Sequence, residues 1–101
     1  MFDLNQINGK KIYVDSIKIT YDKSQLKLFL SASTIEVSFA ATFFGVSRVT
    51  FENFSFPMEI CGFEIISHQG EGWAQDSRFE IRDYEDGKVS FYCQSYDIQE
   101  Q

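Results

Sequence analysis

The sequence predicts an all-β domain, built as an antiparallel β-sandwich or a partly open barrel of about seven strands, with little or no helix. Three observations lead to this prediction. Apolar residues recur at every second position along most of the chain, aromatic residues make up 17% of it, and no segment carries an apolar stripe over three helical turns. Side chains on one face of a β-strand recur at every second residue, and aromatic rings fit the pleated surface of a sheet. Strands without covering helices must pack sheet on sheet or close into a barrel.

The chain is expected to form one domain spanning residues 1–101, which is long enough to bury one core. Hydrophobic residues make up 44% of it, a fraction that excludes a disordered chain. The N-terminus lacks a basic start followed by an apolar run, and no apolar stretch approaches the roughly 20 residues that span a bilayer. We therefore expect a cytoplasmic protein without membrane contact, whose cysteines are reduced.

The strands of the first half follow from the alternation and from the residues that interrupt it. The Asp22-Lys23-Ser24 segment separates two alternating runs, which predicts a hairpin. Gly45 permits a bend, and Pro57 ends the last run because it lacks the N–H that a strand ladder needs. The predicted strands are residues 13–21, 26–31, 35–43 and 46–54.

In the second half, Asp86-Gly87 is the strongest hairpin signal, because a type I′ turn needs positive φ at both of its central positions. The segment Gln69-Gly70-Glu71-Gly72 is predicted to be a loop. The predicted strands are residues 63–68, 78–83 and 88–98. One helical turn within residues 3–9 is the most helix that the pattern allows.

Side-chain parity within each run predicts which residues share a face. It places Tyr13 with Ile17 in the first run, and Ile35 with Phe39 and Phe43 in the third. The opposite faces still carry large rings, and large exposed apolar patches are rare on soluble monomers. These rings need a second sheet or a second copy of the protein, so we expect a homodimer. They are Phe29, Phe44, Tyr92 and Tyr96.

Charge is unevenly distributed along a chain whose net charge is −6. Up to residue 50, six basic residues stand against four acidic ones, and beyond it three basic residues stand against eleven acidic ones. An acidic surface repels phosphate backbones and attracts basic proteins, which argues against nucleic-acid binding and allows a basic protein partner. The other interpretation of the charge is solubility alone. The carboxylates around the predicted Asp86-Gly87 hairpin are expected to lie in a solvated turn.

The loop from His68 to Arg78 combines the chain's His and Trp residues with glycines. Trp73 could anchor a partner, since Trp brings a large contact area and one hydrogen-bond donor, or it could fold back as a lid over the core. Together with the acidic hairpin and its aromatic residues, this loop supplies the candidate partner-binding residues. They are Trp73, Glu80, Asp83, Tyr84, Glu85 and Tyr92.

Residues that could carry catalysis are sparse. His68 has no second His or closely spaced Cys pair with which to hold a metal. Cys61 lies in an apolar stretch that raises a thiol pKa, and Cys93 alternates with Val89 and Phe91 in a predicted core face. We expect no catalytic residue, no metal site and no cofactor, and therefore a protein that is not an enzyme.

Segments of the C-terminal half resemble small uncharacterised bacterial β-rich proteins, some of which are similar to immunity proteins encoded beside polymorphic toxins. The resemblance implies a cytoplasmic protein that binds and blocks a toxin domain, and the acidic half agrees with it. It brings no catalytic motif and assigns no residue a role. The segments are Phe56-Pro57-Met58-Glu59-Ile60-Cys61-Gly62-Phe63-Glu64-Ile65, Gly72-Trp73, Arg78-Phe79-Glu80-Ile81-Arg82-Asp83-Tyr84-Glu85-Asp86-Gly87 and Val89-Ser90-Phe91-Tyr92-Cys93.

Two functions remain open at this point. The first is a non-enzymatic protein-binding module, such as an immunity-type inhibitor of a bacterial toxin. The second is a small-ligand-binding barrel with an apolar cavity lined by aromatic residues and closed by the loop from Gly70 to Trp73. A cavity that the side chains leave unfilled favours the second function, and a filled core with an acidic face favours the first.

Overall fold

The computed structural model describes residues 4–52, 57–68 and 78–101, and it confirms the all-β prediction. One 3₁₀ turn at Leu4–Gln6 precedes eight antiparallel strands, one more than predicted, because the long strand expected at residues 88–98 is divided at Gln94. The strands are β1 (Lys10–Asp22), β2 (Gln25–Ser33), β3 (Ser38–Phe44), β4 (Ser47–Phe51), β5 (Met58–Ser67), β6 (Phe79–Asp83), β7 (Val89–Cys93) and β8 (Ser95–Glu100).

No helix within the described ranges is long and apolar enough to span a bilayer.

All eight strands belong to one sheet with the order β4-β7-β6-β5-β1-β2-β3-β8. The two edge strands are β4 and β8. In the chain, β4 follows β3, which lies beside β8, and β8 follows β7, which lies beside β4. Where both of these strands bend, the Gln94 N–H donates to the Phe44 carbonyl at 2.9 Å and joins the β3–β8 ladder to the β4–β7 ladder. The eight strands therefore form one open sheet that curls around one core, as in the predicted partly open barrel.

The core is filled by side chains from all parts of the curled sheet. Among the described residues four phenylalanines are fully buried, and the rings of Phe43 on β3 and Phe91 on β7 meet edge to face with centroids 5.0 Å apart. Alternation along β2 and β3 buries Leu28, Leu30 and Phe39 as predicted. The described side chains of the inner face therefore pack against one another.

The predicted faces of β1 are wrong in part, because a β-bulge changes the side-chain parity. The register with β2 shifts between Val14 and Ser16. Val14 is therefore buried on the inner face together with the half-buried Ile17, whereas Tyr13 has the parity of the outer face. A bulge adds one residue to one strand, so a strict period of two cannot continue through it.

The bend at Gln94 produces a similar correction at Tyr96. Tyr96 was predicted to share a face with Tyr92, but its ring packs against Phe43 and Phe79, with centroids 6.3 and 4.9 Å away. Lys27 lies over the Phe44 ring at 5.4 Å. The uncovered aromatic surface that suggested a homodimer is therefore smaller than expected, and self-association stays a prediction.

Two further boundaries differ from the sequence-based expectation. Ile35 was predicted to share the core face of β3, but it precedes that strand, in a turn where the Thr34 hydroxyl accepts the N–H groups of Glu36 and Val37, and 90% of it is exposed. By contrast, β5 begins earlier than predicted. It begins at Met58, five residues before the predicted strand, and adds the buried Ile60 to the core.

The β1–β2 and β6–β7 connections also differ from the sequence-based expectation. Lys23 and Ser24 both have positive φ, 51° and 66°, so the type I′ conformation occurs in a turn that contains no glycine. In the connection from β6 to β7, Gly87 has positive φ but Asp86 does not, and the Gly87 N–H donates to the Asp83 carbonyl. The predicted two-residue turn at Asp86-Gly87 is therefore wrong, and the connection is a five-residue loop.

Candidate functional site

The outer surface of β5, β6, β7 and β4 carries a connected group of charged and aromatic side chains, which we call the charged face. Residues directly opposite each other on antiparallel strands point to the same side of a sheet. The register places Arg82 opposite Glu64, and Glu80 opposite Tyr92. These residues alternate with buried ones such as Ile81 and Phe91, which fixes their outward direction. The charged face consists of Arg48, Glu64, His68, Glu80, Arg82 and Tyr92.

Two hydrogen bonds and one longer ion pair connect four of these side chains in a row. Arg82 Nε donates to Glu64 Oε1 at 2.6 Å, and Arg82 Nη1 lies 4.0 Å from Glu80 Oε2. The other oxygen of Glu80 lies 3.0 Å from His68 Nε2. The hydrogen bond that Arg82 donates to Glu64 raises the pKa of the Arg82 guanidinium, which is charged in any case.

The middle of this row is well enclosed for an outer surface. The side chains of His68 and Glu80 are only 13% and 16% exposed, whereas that of Arg82 is 44% exposed. Enclosed and hydrogen-bonded side chains cannot change rotamer freely, so the positions of His68 and Glu80 are fixed.

Arg48 extends the charged face onto β4. Its guanidinium carbon lies 5.5 Å from the centroid of the Tyr92 ring, within the distance of a cation–π contact. Arg48 is exposed and has a φ of 54°, at the point where the β4–β7 register shifts between Ser47 and Thr50. The sequence analysis missed Arg48, because nothing in the residue pattern shows that an arginine adopts a conformation usually left to glycine.

Asp83 does not lie in a solvated turn, so that expectation is wrong. Only 4% of Asp83 is exposed. Its Oδ1 accepts the N–H groups of Gly62, Glu85 and Asp86 at 3.2, 3.2 and 3.3 Å, and its Oδ2 accepts that of Lys88 at 3.2 Å. Asp83 therefore holds the β6–β7 loop together and is not available to a partner.

Tyr84 and Glu85 lie at the end of the charged face, in the β6–β7 loop. Tyr84 is 48% exposed, and its hydroxyl donates to the Gly9 carbonyl at 3.4 Å. Gly62 is needed beneath it, because a Cβ there would lie 2.9 Å from the Tyr84 ring and from the Glu85 side chain. Tyr84 thus presents one side to solvent while the other side packs on β5.

Of the six predicted partner-binding residues, the structure places Glu80 and Tyr92 side by side on the charged face. Tyr84 and Glu85 follow in the adjoining loop, and Asp83 is withdrawn into the fold. Trp73 lies outside the described residues, as does most of the loop from His68 to Arg78. Whether these residues bind a partner stays a prediction.

The carboxylates of the second half are less available than the sequence suggested. Within the described residues, four of them contact a cation, a histidine or backbone N–H groups. The exposed carboxylates nearest the charged face are then those of the β6–β7 loop. The tied carboxylates are Glu59 with Lys11 at 2.8 Å, Glu64 with Arg82, Glu80 with His68, and Asp83 with the loop backbone.

The two cysteines occupy different environments. Cys93 is buried in the core, as predicted, and burial raises the pKa of its thiol to about 12. Cys61 is only half-buried and not in the apolar setting that was expected, since its Sγ lies 3.8 Å from Glu59 Oε1. Partial desolvation raises the pKa of the Cys61 thiol, and the Asp86 carboxylate raises it further.

Both thiols are expected to react slowly in the native protein, because a raised pKa lowers the fraction of nucleophilic thiolate at neutral pH. With a soluble disulfide reagent at neutral pH, Cys61 should react about tenfold more slowly than a thiol in an unfolded chain. Cys93 should react only after unfolding. Mass spectrometry of each labelled cysteine over time checks this, and fast labelling of both in the folded state would contradict the assigned environments.

The described part of the chain contains no group of three or more His, Cys, Asp or Glu side chains that could hold a metal ion. A groove of about 220 Å³, open to solvent, lies outside the charged face. Its lining includes Lys10, Tyr13 and the exposed Ile35. The groove is a surface feature and not the enclosed aromatic-lined cavity that the small-ligand alternative required.

No protein-family model, curated protein or solved structure matches this chain.

Proposed function

We propose that this protein is a non-enzymatic protein-binding module that contacts its partner with the charged face and the adjoining β6–β7 loop. The observation that carries the proposal is the row of Glu64, Arg82, Glu80 and His68 on the outer surface of the sheet, joined by two hydrogen bonds and one ion pair. Fixed charges reduce the ordering cost of association and favour a partner of complementary pattern. Tyr92 and Tyr84 add aromatic contact surface of the kind enriched at interfaces.

The alternative function, a barrel that encloses a small apolar ligand, has less support. The inner face of the described strands is occupied by packed side chains, including the Phe43–Phe91 pair. Nucleophilic chemistry also has little support at the described cysteines, whose thiol pKa values are both raised. Charges on the outer surface of the sheet support protein recognition better than they support small-ligand binding or nucleophilic catalysis.

The more specific form of the proposal is an immunity-type inhibitor that binds a basic bacterial toxin domain in the cytoplasm. The resemblance of the C-terminal half motivates it, and the exposed Glu85 and Asp86 beside the charged face support it. Carboxylates at the rim of an interface act mainly on the rate of association with a basic partner.

A capture experiment with matched charge reversals tests the proposal. Tagged protein is incubated with a bacterial lysate that contains the product of the neighbouring gene. The variant Glu85→Lys/Asp86→Lys reverses two charges beside the charged face, and Asp97→Lys/Glu100→Lys reverses two exposed charges on β8. We expect the partner to bind the wild type and the β8 variant, and to associate at least about tenfold more slowly with the loop variant.

Circular dichroism of all three proteins first establishes that each remains folded. Equal capture by the two reversed variants would remove the β6–β7 loop from the interface. Capture lost equally in both would show that net charge alone, and not its position, attracts the partner.

A further inference from the structure

Arg48 lies where β4 departs from regular pairing. Ser47 is opposite Tyr92 and Thr50 is opposite Ser90, so β4 has one more residue than β7 over this interval. Within this bulge the φ of Arg48 is 54°, in the left-handed region where the Cβ of an L residue crowds the backbone. Bulges beside functional sites redirect side chains, and a residue held in such a conformation reduces stability unless other contacts offset the strain.

A second unfavourable feature adjoins the first. The hydroxyl oxygen of Ser47 is buried and has no hydrogen-bond partner among the described residues. Leaving a buried polar atom unpaired lowers stability, and such atoms in folded proteins require an explanation. Two consecutive residues of one short strand thus both reduce stability, which is the pattern of a site kept for function rather than for folding.

Among the described residues, no side chain or backbone group accepts a hydrogen bond from the Arg48 guanidinium, which lies over the Tyr92 ring. A guanidinium over a ring uses its flat face, and its N–H groups point outward in its own plane. Arg48 makes no ion pair within residues 4–52, 57–68 and 78–101. Glu80, the cross-strand neighbour of Tyr92, is already hydrogen-bonded to His68. Arg48 is therefore a positioned cation without an anion.

We propose that Arg48, held over the Tyr92 ring, binds a carboxylate of the protein partner. This inference rests on the proposed function and names one chemical group on the partner surface. A fork of in-plane N–H donors matches the two oxygens of a carboxylate. Phosphate shares this chemistry, but a net charge of −6 repels nucleic acid, which favours a carboxylate on a protein. A cation at the β4 side of the charged face also fixes the register of a partner whose surface is otherwise basic.

The first test measures how much the positive φ of Arg48 lowers the stability of the protein. Arg48→Gly should raise Tm by about 4 °C, because glycine adopts positive φ without strain. Ser24→Gly is the matched control, since Ser24 also has positive φ, 66°, but lies in the β1–β2 turn and not on the charged face. Arg48→Asn, which also tolerates this conformation, should keep the wild-type Tm or raise it. A fall in Tm for both Arg48 variants, with a rise for Ser24→Gly, would overturn the inference that Arg48 is retained at a cost.

The second test measures anion binding and needs no partner. The Nε–Hε signals of the arginines are followed by NMR during titration with sodium acetate. The shift at Arg48 should be about threefold larger than at the exposed Arg78, and Tyr92→Leu should reduce it to the Arg78 value. Equal responses of Arg48 and Arg78 would overturn the carboxylate site. Tighter binding of a single-stranded oligothymidine at Arg48 would also overturn it, because the group recognised would then be a nucleic-acid phosphate.

The two proposals fail independently. If acetate does not select Arg48 but the loop variant still loses the partner, the charged face binds a protein without a carboxylate contact at Arg48. If acetate selects Arg48, Arg48→Gly should weaken partner binding by about tenfold, the usual loss for one charged contact. Unchanged partner binding in that variant would place the anion site outside the interface.

Discussion

Replacing Asp83 by alanine is expected to lower the free energy of unfolding by about 3 to 5 kcal/mol. The substitution leaves four backbone N–H groups, those of Gly62, Glu85, Asp86 and Lys88, without their acceptor. Each unpaired buried donor carries its own desolvation cost, although the loop can relax toward water and recover part of it. The change also removes one of the hydrogen bonds between the β6–β7 loop region and β5, that of the Gly62 N–H, so local opening of this loop should accompany the global loss of stability.

Asp83→Asn separates the role of hydrogen bonding from that of charge. The amide oxygen can still accept the three N–H groups that meet Oδ1, but the amide nitrogen would face the N–H of Lys88, and two donors repel. We expect Asn to lie between wild type and alanine. Urea unfolding followed by fluorescence measures the series, with the exposed Glu85→Ala as control, expected within about 0.5 kcal/mol of wild type. Asp83→Ala as stable as the control would show that Asp83 does not organise the loop.

Truncation of the central aromatic pair should have an effect of similar size. Phe91→Ala is expected to lower the free energy of unfolding by about 3 to 5 kcal/mol, since the ring is fully buried and the cavity cannot fill without moving several strands. Phe29→Ala, a truncation of a partly exposed ring on the outer face, should cost much less.

The contact between Phe43 and Phe91 also allows a test of whether the sheet curls around the core. In the strand order, β3 and β7 lie five positions apart, which in a flat sheet would separate them by about 24 Å. Their edge-to-face contact exists only because the sheet closes around the core. A double-mutant cycle with Phe43→Leu and Phe91→Leu should therefore show a coupling energy of about 0.5 to 1.5 kcal/mol. Strict additivity would contradict the contact.

The sequence predicted the fold class and the strands whose alternation is uninterrupted. Leu28, Leu30 and Phe39 could be assigned to the core because β2 and β3 contain no bulge. The assignment failed where backbone geometry changes the parity, at the β1 bulge and at the Gln94 bend that turns Tyr96 inward. No residue type marks these positions, because tertiary closure of the sheet imposes them.

The candidate site was predictable only in part, for a related reason. Glu80 and Tyr92 could be proposed from composition, and the register then makes them neighbours. Asp83 looks like any turn carboxylate until the four N–H groups that surround it are known. Arg48 gave no signal, since its φ and its contact with Tyr92 depend on how β4 pairs with β7.

Side-chain footprinting of the protein with its captured partner tests most directly whether the charged face is the interface. Hydroxyl radicals oxidise exposed rings and aliphatic groups, and mass spectrometry locates each product. We predict that binding protects Tyr92 and Tyr84, while Tyr21 and Ile35, which are 73% and 90% exposed on other parts of the surface, react as in the free protein. Protection of Tyr21 or Ile35 with unchanged oxidation of Tyr92 and Tyr84 would contradict the account, because the partner would then bind elsewhere.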